Sequence, residues 1–209
     1  MNILKEIRDE IINESVSLSS ILRKARVLAS LLKHSDFEKW VLSELNGYNQ
    51  DDPSIPDYRK LYVESIGDFS GPFGSGGRNL PIPTLNLPDY IQKFANETNI
   101  IQGIKSIESL VENGKSDSLV INWPADLIAV CQSKIYQHMN LYSARKVLSK
   151  SQFEQILDTV RNKLLDFILE LIEKNPDIDD EEKINKISSK QVNSAFESHI
   201  SGSYNSSKE

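Results

Sequence analysis

Cysteine is almost absent from this sequence, and long apolar runs are absent altogether. Cys131 is the only cysteine among 209 residues, so no disulfide can form within the chain, which favours a reducing compartment such as the cytoplasm. A membrane-spanning helix needs about 18 or more consecutive apolar residues, and no such run occurs. The opening stretch, MNILKEIRDEII, mixes acidic with apolar side chains, unlike a signal peptide. We therefore expect a cytoplasmic protein without a membrane partner.

Histidine is scarce too, and no catalytic constellation stands out. His34, His138 and His199 are isolated from one another, and none has zinc-like spacing to Cys131. We interpret all three histidines as surface residues. Cys131 lies on the apolar side of a predicted helix with no histidine placed to activate it, so we interpret it as a small buried side chain. No serine stands in a nucleophile-elbow motif. We predict no catalytic residue, no metal site and no cofactor, and we favour a protein that is not an enzyme.

The glycine-rich run SGPFGSGGRN (Ser70–Asn79) lacks the context of a phosphate-binding loop. A Walker loop needs a Lys-Ser/Thr pair that opens a helix, and a dinucleotide fingerprint also needs a following helix. Here the proline-containing segment LPIPT (Leu80–Thr84) follows instead. We interpret the run as a hairpin loop and LPIPT as a short edge strand, because its prolines cannot donate to a neighbouring strand.

An excess of positive charge is also missing. The net charge is -6, which argues against a general electrostatic grip on nucleic acid. From Glu173 onward the chain has 8 acidic and 5 basic residues, so this segment supplies half of the acidic excess. Two local basic clusters remain as candidate ligand-binding residues, with a solvated surface as the alternative. They are Arg23, Lys24 and Arg26, and Arg145, Lys146 and Lys150.

The most regular pattern runs over residues 14–48 and predicts two helices joined by a tight turn. Apolar residues recur at helical spacing on one side of each helix, and basic residues take the other side of the first. We interpret this αα-hairpin as core-forming, with a binding face on its basic side as the alternative. The apolar positions are Ile21, Leu22, Ala25, Leu28, Ala29, Leu32, Phe37, Trp40, Val41 and Leu45.

Helix starts are predicted from short polar residues that accept a hydrogen bond from a free backbone N–H. One of the serines at positions 19–20 caps the first hairpin helix. Ser35 with Glu38, and Ser151 with Glu154, have the spacing of capping boxes.

The longest helix is predicted from Ser151 to about Lys174. Its apolar stripe is wide, which indicates burial on more than one side. The stripe belongs either to the core of the chain, which we favour, or to an interface between subunits. The candidate interface residues are Ile156, Val160, Leu164, Phe167, Ile168 and Leu171.

The middle of the chain changes to a period of two, which is typical of strands. A hairpin is predicted over about residues 58–84, a short strand over about 118–123, and an extended segment over 139–148. Further helices are predicted near the N-terminus, after Leu87-Pro88, over the run that Gly114 closes, and after Pro124. The expected fold class is α+β, a predominantly helical domain with a small antiparallel sheet.

The last segment is acidic and rich in serine. We divide the chain into a domain over residues 1–174 and a weakly ordered extension over 175–209. Val192, Phe196 and Ile200 recur every four residues, so this end either docks as a helix or binds a partner. The acidic pairs at 51–52 and 179–180 are interpreted as solvated loop residues.

Six segments, by their order and spacing, resemble the AbiTii domain of bacterial abortive-infection and phage-defence proteins. The resemblance covers roughly residues 1–173 and implies an α+β intracellular module, often found alone or beside effector domains. It carries over no catalytic residue, and the acidic, Ser-rich tail is an addition to the pattern. The segments are ESVSLSSILRKARVLASLLKHSDFEKWVLSELNGY (14–48), PDYRKL (56–61), NLPIP (79–83), LPDYI (87–91), LVINWPADLIA (119–129) and ILDTVRNKLLDFILEL (156–171).

The leading hypothesis is a non-enzymatic module of an anti-phage defence system. It would act as a sensor, adaptor or assembly domain through protein–protein contacts, as a homo-oligomer or with a defence effector protein. The alternative is a nucleotide- or nucleic-acid-binding protein or toxin that uses the basic clusters; we do not favour nucleic acid as the partner. Convergence of those arginines and lysines in one cleft would favour the alternative, and their dispersal would weaken it.

Overall fold

The computed structural model describes residues 2–85, 87–114, 116–176, 178 and 181–202. The regular elements in these ranges are helices and short antiparallel sheets, so the expected α+β class is confirmed. The elements are α1 (Ile3–Ile12), α2 (Leu18–Leu32), α3 (Ser35–Asn46), β1 (Lys60–Tyr62), β2 (Glu64–Ser70), β3 (Gly76–Pro81), α4 (Asp89–Asn96), β4 (Glu97–Asn99), α5 (Ile104–Asn113), β5 (Ser118–Asn122), α6 (Ala125–Cys131), β6 (Asn140–Ser149), α7 (Lys150–Lys174), α8 (Glu181–Ile184) and α9 (Ser189–Phe196).

The described residues divide into two compact units. The helical unit contains residues 2–57, 101–113 and 154–202, and the sheet unit contains residues 58–100 and 114–153. Both units are discontinuous in sequence. The predicted boundary at residue 174 separates a domain from a C-terminal extension, which is a different division from these two units. That boundary stays a prediction.

The predicted αα-hairpin is confirmed as α2 and α3. Lys33 ends α2 in the left-handed conformation, with φ 52°. At the far end of α3, the backbone N–H of Tyr48 donates to the Ile101 carbonyl at 2.8 Å. Gly47 has φ +93°, and a Cβ there would lie 2.4 Å from the Ile101 carbonyl oxygen. Glycine is therefore required where α3 ends against the segment that leads into α5.

Two helix starts differ in detail from the predicted caps. In α2 the cap is Ser17, whose side chain accepts from the Ser20 N–H at 3.3 Å, rather than one of the later serines. At α7 the Gln152 side chain accepts from the Ser149 N–H at 2.9 Å and from the Ser149 hydroxyl at 3.4 Å, so the contact at this helix start is Ser-x-x-Gln and begins before Ser151. In both cases the hydrogen-bonding chemistry is that of a cap, displaced along the chain.

His34, and not Ser35, caps α3. Its Nδ1 accepts the Phe37 backbone N–H at 3.0 Å. The imidazole is buried, with its ring centroid 5.0 Å from that of Phe196. The surface interpretation of His34 is therefore wrong, because α9 packs over it.

The stripe along α7 lies inside the helical unit. All six candidate interface residues are at most 1% exposed, which agrees with the core alternative and leaves none of them on a surface. The centroid of the Phe167 ring lies 4.5 Å from the centroid of the Phe37 ring on α3. These six side chains are therefore packed inside the helical unit, where another chain cannot reach them.

The end of the described chain is helical. Ser188 caps α9, and a π-helical turn continues it over Glu197–Ser201. Val192 and Ile200 are buried, and Lys163 on α7 donates to the Ile200 carbonyl at 3.1 Å. For residues 188–202 the expectation of weak order is wrong, since apolar burial and this lysine anchor the segment. The docked-helix alternative is the one observed.

The sheet unit contains a four-stranded antiparallel sheet in the order β3-β2-β6-β5 and a two-stranded sheet of β1 and β4. The predicted hairpin is confirmed as β2 and β3, and the strand near residue 118 is confirmed as β5. The segment expected only to be extended is β6, which pairs with both β2 and β5 and thus lies at the centre of the sheet.

The apolar core of the sheet unit joins residues of α4 and α6 to residues of the strands and loops. Trp123 donates from Nε1 to the Ser65 hydroxyl at 3.1 Å, and that hydroxyl donates to the Ala95 carbonyl at 2.7 Å. Cys131 is fully buried in the same core, as predicted, and burial raises the pKa of its thiol. The core residues are Phe69, Ile82, Leu87, Ile91, Ala95, Trp123, Cys131, Leu141 and Ala144.

The acidic pair at 51–52 lies in the turns after α3, as predicted; the pair at 179–180 falls outside the described residues. None of the described helices is both long and apolar enough to cross a membrane.

Candidate functional site on the helical hairpin

The hairpin exposes one side of α2 beside α3. The apolar stripe of α2 is buried, which leaves the other side of the helix exposed, offset from the stripe by about two residues or half a helical turn. This face and α3 line an open groove of about 690 Å³, which we call the hairpin groove. It is lined by Arg23, Arg26, Val27, Ser30 and Leu31 from α2, and by Glu38, Leu45 and Asn46 from α3.

Two predicted site residues meet in this groove. Arg23 and Arg26 are both exposed, and they lie one helical turn apart on α2. Neither has a hydrogen-bond or ion-pair partner among the residues that the structure describes. Their guanidinium groups are therefore available to a carboxylate or phosphate from outside the chain.

The floor between the arginines and α3 is apolar. Val27 is 53% exposed, and Leu31 and Leu45 are half-buried beside it. Val27 adds apolar area beside the cationic rim that Arg23 and Arg26 form. Glu38, half-buried on the α3 side, is the one acidic residue that lines the described groove.

Lys24 does not belong to the groove. Its ammonium group contacts Glu10 at 2.5 Å and also pairs with Glu6, both on α1. The hydrogen bond to Glu10, followed by that to Glu6, raises the lysine pKa. Lys24 thus ties α2 to α1, and its charge is already matched.

The second predicted cluster is dispersed by the alternation of β6. Arg145 contacts Asp68 at 3.2 Å and also pairs with Asn79. The backbone N–H of Asn79, at 2.8 Å, and then Arg145 lower the pKa of the Asp68 carboxyl. Arg145 is therefore neutralised within the sheet.

Lys146, the next residue of β6, points to the opposite face. It is 5% exposed, its Nζ lies 3.9 Å from the centroid of the Phe94 ring, and it donates to the Glu97 carbonyl at 2.8 Å. Burial lowers its pKa. Lys150 is half-buried at the start of α7. Arg145 and Lys146 do not form one anion site, because adjacent strand residues face opposite sides.

A smaller pocket of about 260 Å³ lies between α3, the following loop and the end of α9. No local sequence pattern points to this pocket, because its wall is built by a helix more than a hundred residues from α3. Tyr48 donates from its hydroxyl to the buried Glu44 carboxylate at 2.6 Å, which orients one side of the pocket. Trp40 and Phe196 supply the apolar lining.

The apolar part of the hairpin groove is not among the site residues predicted from the sequence. Helical i, i+3, i+4, i+7 spacing relates Arg23, Arg26, Val27 and Ser30. The position of Val27 on this basic face is therefore the sequence feature that points to an apolar part of the groove. Among the described residues, no group of three or more His, Cys, Asp or Glu side chains is arranged to hold a metal ion.

Comparison with known proteins places the chain in a family. The AbiTii family model matches residues 2–197, a longer stretch than the one in which sequence analysis found the resemblance. No curated protein and no solved structure matches the chain. Since the match covers nearly the whole chain, the protein belongs to the AbiTii family.

Proposed function

We propose that this chain is a non-enzymatic adaptor in an abortive-infection defence against phage, and that its hairpin groove binds an acidic, amphipathic segment of a partner protein. The family name indicates abortive infection. The adaptor role and the groove as its binding site are the added steps. A cytoplasmic location belongs to the same proposal and is consistent with the single, buried cysteine.

The observation that carries the proposal is the pair Arg23 and Arg26 beside the exposed Val27. Arginine is enriched among the residues that dominate protein–protein binding energies. A partner that places carboxylates on the two guanidinium groups and an apolar side chain on Val27 would match both the charge and the apolar floor of the groove. An amphipathic helix presents such groups at i, i+3 and i+4.

Nucleotide or RNA is the competing occupant, because guanidinium groups also bind phosphate. Three observations weigh against it. Glu38 lines the same groove, Lys24 and Arg145 are neutralised by carboxylates of the chain, and the net charge is -6. Salt-dependent phosphate binding usually needs several unpaired cations.

Photocrosslinking in cells during infection tests the proposal. A photoreactive phenylalanine analogue replaces Val27, and a second strain carries it at Val130, an exposed control position on α6. We expect Val27 to capture one partner protein through a peptide rich in Asp or Glu with interspersed apolar residues. Arg23→Glu with Arg26→Glu should abolish this product.

Two outcomes would overturn the proposal. One is capture of RNA or of a nucleotide at position 27. The other is that position 27 captures the same crosslinked proteins as position 130, or that its product remains in the variant that carries both Arg23→Glu and Arg26→Glu.

A further inference from the structure

The four-stranded sheet has two edges, and they are built differently. At the β3 edge, Pro81 lacks a backbone N–H, and the register with β2 shifts between Gly67 and Phe69. Exposed Arg78 adds a charge to the same strand. Proline, irregular register and charge are the features that keep edge strands from pairing with other chains.

The β5 edge has none of these features. Its sequence, SLVIN (Ser118–Asn122), contains no charge and no proline, and its register with β6 is regular over all five residues. Val120 is 54% exposed and Ile121 is 41% exposed. A β-branched, uncharged edge strand is a template for strand addition.

The hydrogen bonds at both ends of β5 show which backbone groups face outward. The Asp117 carbonyl accepts from Lys150 at 2.9 Å, and the Trp123 N–H donates to Ala144 at 2.9 Å. In an antiparallel pair, residues that bond to the neighbouring strand alternate with residues that do not. The odd-numbered residues of β5 therefore face β6, and Ser118, Val120 and Asn122 direct their N–H and C=O groups to the open edge.

Little in the chain satisfies these outward groups. The Ser118 N–H donates to the Ser116 hydroxyl at 3.3 Å. For the backbone N–H groups of Val120 and Asn122, the described part of the chain offers no partner. Unpaired strand amides of this kind are the groups that β-augmentation uses.

The edge is complementary to itself. A two-fold axis through Val120, perpendicular to the sheet, places Val120 opposite its own copy, Ser118 opposite Asn122, and Leu119 opposite Ile121. Outward-facing residues then meet outward-facing residues, so Val120 forms a complete hydrogen-bonded pair with its own copy. Ser118 and Asn122 form the two flanking pairs once the Ser118 N–H exchanges its bond to the Ser116 hydroxyl for one across the interface. Apolar side chains meet apolar ones and polar meet polar, and no like charges of the strand lie opposite each other.

From this complementarity we infer that a second copy of the chain adds its β5 antiparallel to β5, with the two-fold axis at Val120. The resulting interface is isologous, as closed dimers require. It makes one sheet continuous through both copies. This interface is separate from the hairpin groove and does not depend on what binds there.

Sedimentation velocity of the full chain over a range of concentrations is the first test. The wild type should shift from monomer to dimer as concentration rises. Val120→Lys places two ammonium groups opposite each other and should keep the protein monomeric over the same range. Val130→Lys, a matched change at an exposed position on α6, should dimerise like the wild type. Circular dichroism of all three proteins checks that each is folded.

Disulfide trapping tests the register. Opposed residues of a hydrogen-bonded pair have Cα atoms about 5.5 Å apart, within disulfide range. Val120→Cys should therefore form a covalent dimer on oxidation. Asn122→Cys should not, because in this register residue 122 lies opposite Ser118 of the second copy and far from the second copy's residue 122. Cys131 is buried and stays out of the reaction. A wild type that is monomeric throughout, a dimer that Val120→Lys leaves intact, or equal trapping at both positions would overturn the inference.

Discussion

The carboxylate of Glu108 on α5 accepts a hydrogen bond from the backbone N–H of Ser19, in the first turn of α2, at 3.2 Å. The two residues are 89 positions apart in sequence, and both are buried. A carboxylate at a helix start satisfies a free N–H and opposes the helix dipole. This contact fixes the hairpin, and so the groove, against α5.

Removal of this carboxylate should destabilise the protein. Glu108→Ala leaves the Ser19 N–H buried without its acceptor, which costs about 1–3 kcal/mol. Glu108→Gln keeps an acceptor oxygen and should lose less than half of that amount. Urea unfolding followed by tryptophan fluorescence measures both variants. Equal losses for the two would show that the hydrogen bond is not the source of the effect.

The His34 cap gives a second prediction. His34→Ala should lower the free energy of unfolding by about 0.5–2 kcal/mol, because α3 loses its cap, with an added loss from the contact with Phe196. His34→Asn restores a capping acceptor but not the ring contact, and should fall between the alanine variant and the wild type. An asparagine variant no better than alanine would show that capping contributes little.

A third prediction concerns acid stability of the sheet unit. The pKa of Asp68 is lowered by the Asn79 N–H and by Arg145, so the folded state binds this proton less readily than the unfolded state, whose aspartate pKa is about 3.9. The stabilising contribution is present above that value and is lost as the pH falls through the lower folded pKa. The wild type should therefore lose more thermal stability than Asp68→Asn as the pH falls from about 6 to about 3, a window that spans the reference aspartate pKa. Parallel pH profiles would contradict the role of this carboxylate.

Cys131 gives a fourth prediction. Its thiol is fully buried, and burial raises its pKa, so both access and thiolate fraction are low. Native protein should react with a disulfide reagent such as dithionitrobenzoate at least roughly a hundredfold more slowly than urea-unfolded protein. Equal rates in the two states would place this cysteine on an accessible surface.

Helical periodicity predicted the helices well, because the pattern is local. The hairpin, the long stripe from Ile156 to Leu171 and the buried Cys131 all follow from which positions repeat along a helix. Proline and glycine placed the β2–β3 hairpin and the start of α6 in the same way. These features need no knowledge of the rest of the chain.

The remaining features depend on contacts that are distant in sequence. Arg145 and Lys146 are neighbours in sequence, but the pairing of β6 with β2 and β5 puts them on opposite faces of the sheet. His34 is buried because α9 covers it. Lys24 pairs with carboxylates of α1. Of the six predicted ligand-binding residues, Arg23 and Arg26 share the hairpin groove, and the contacts that separate the others are tertiary.

The most direct test of the proposed adaptor function is phage protection in cells that carry the intact defence locus. Arg23→Glu with Arg26→Glu should reduce protection by roughly tenfold or more, as expected for loss of two dominant interface arginines. The control, Lys105→Glu with Lys134→Glu, makes the same total charge change at exposed lysines outside the groove and should protect like the wild type. Full protection by the arginine variant, at equal protein level, would contradict the account.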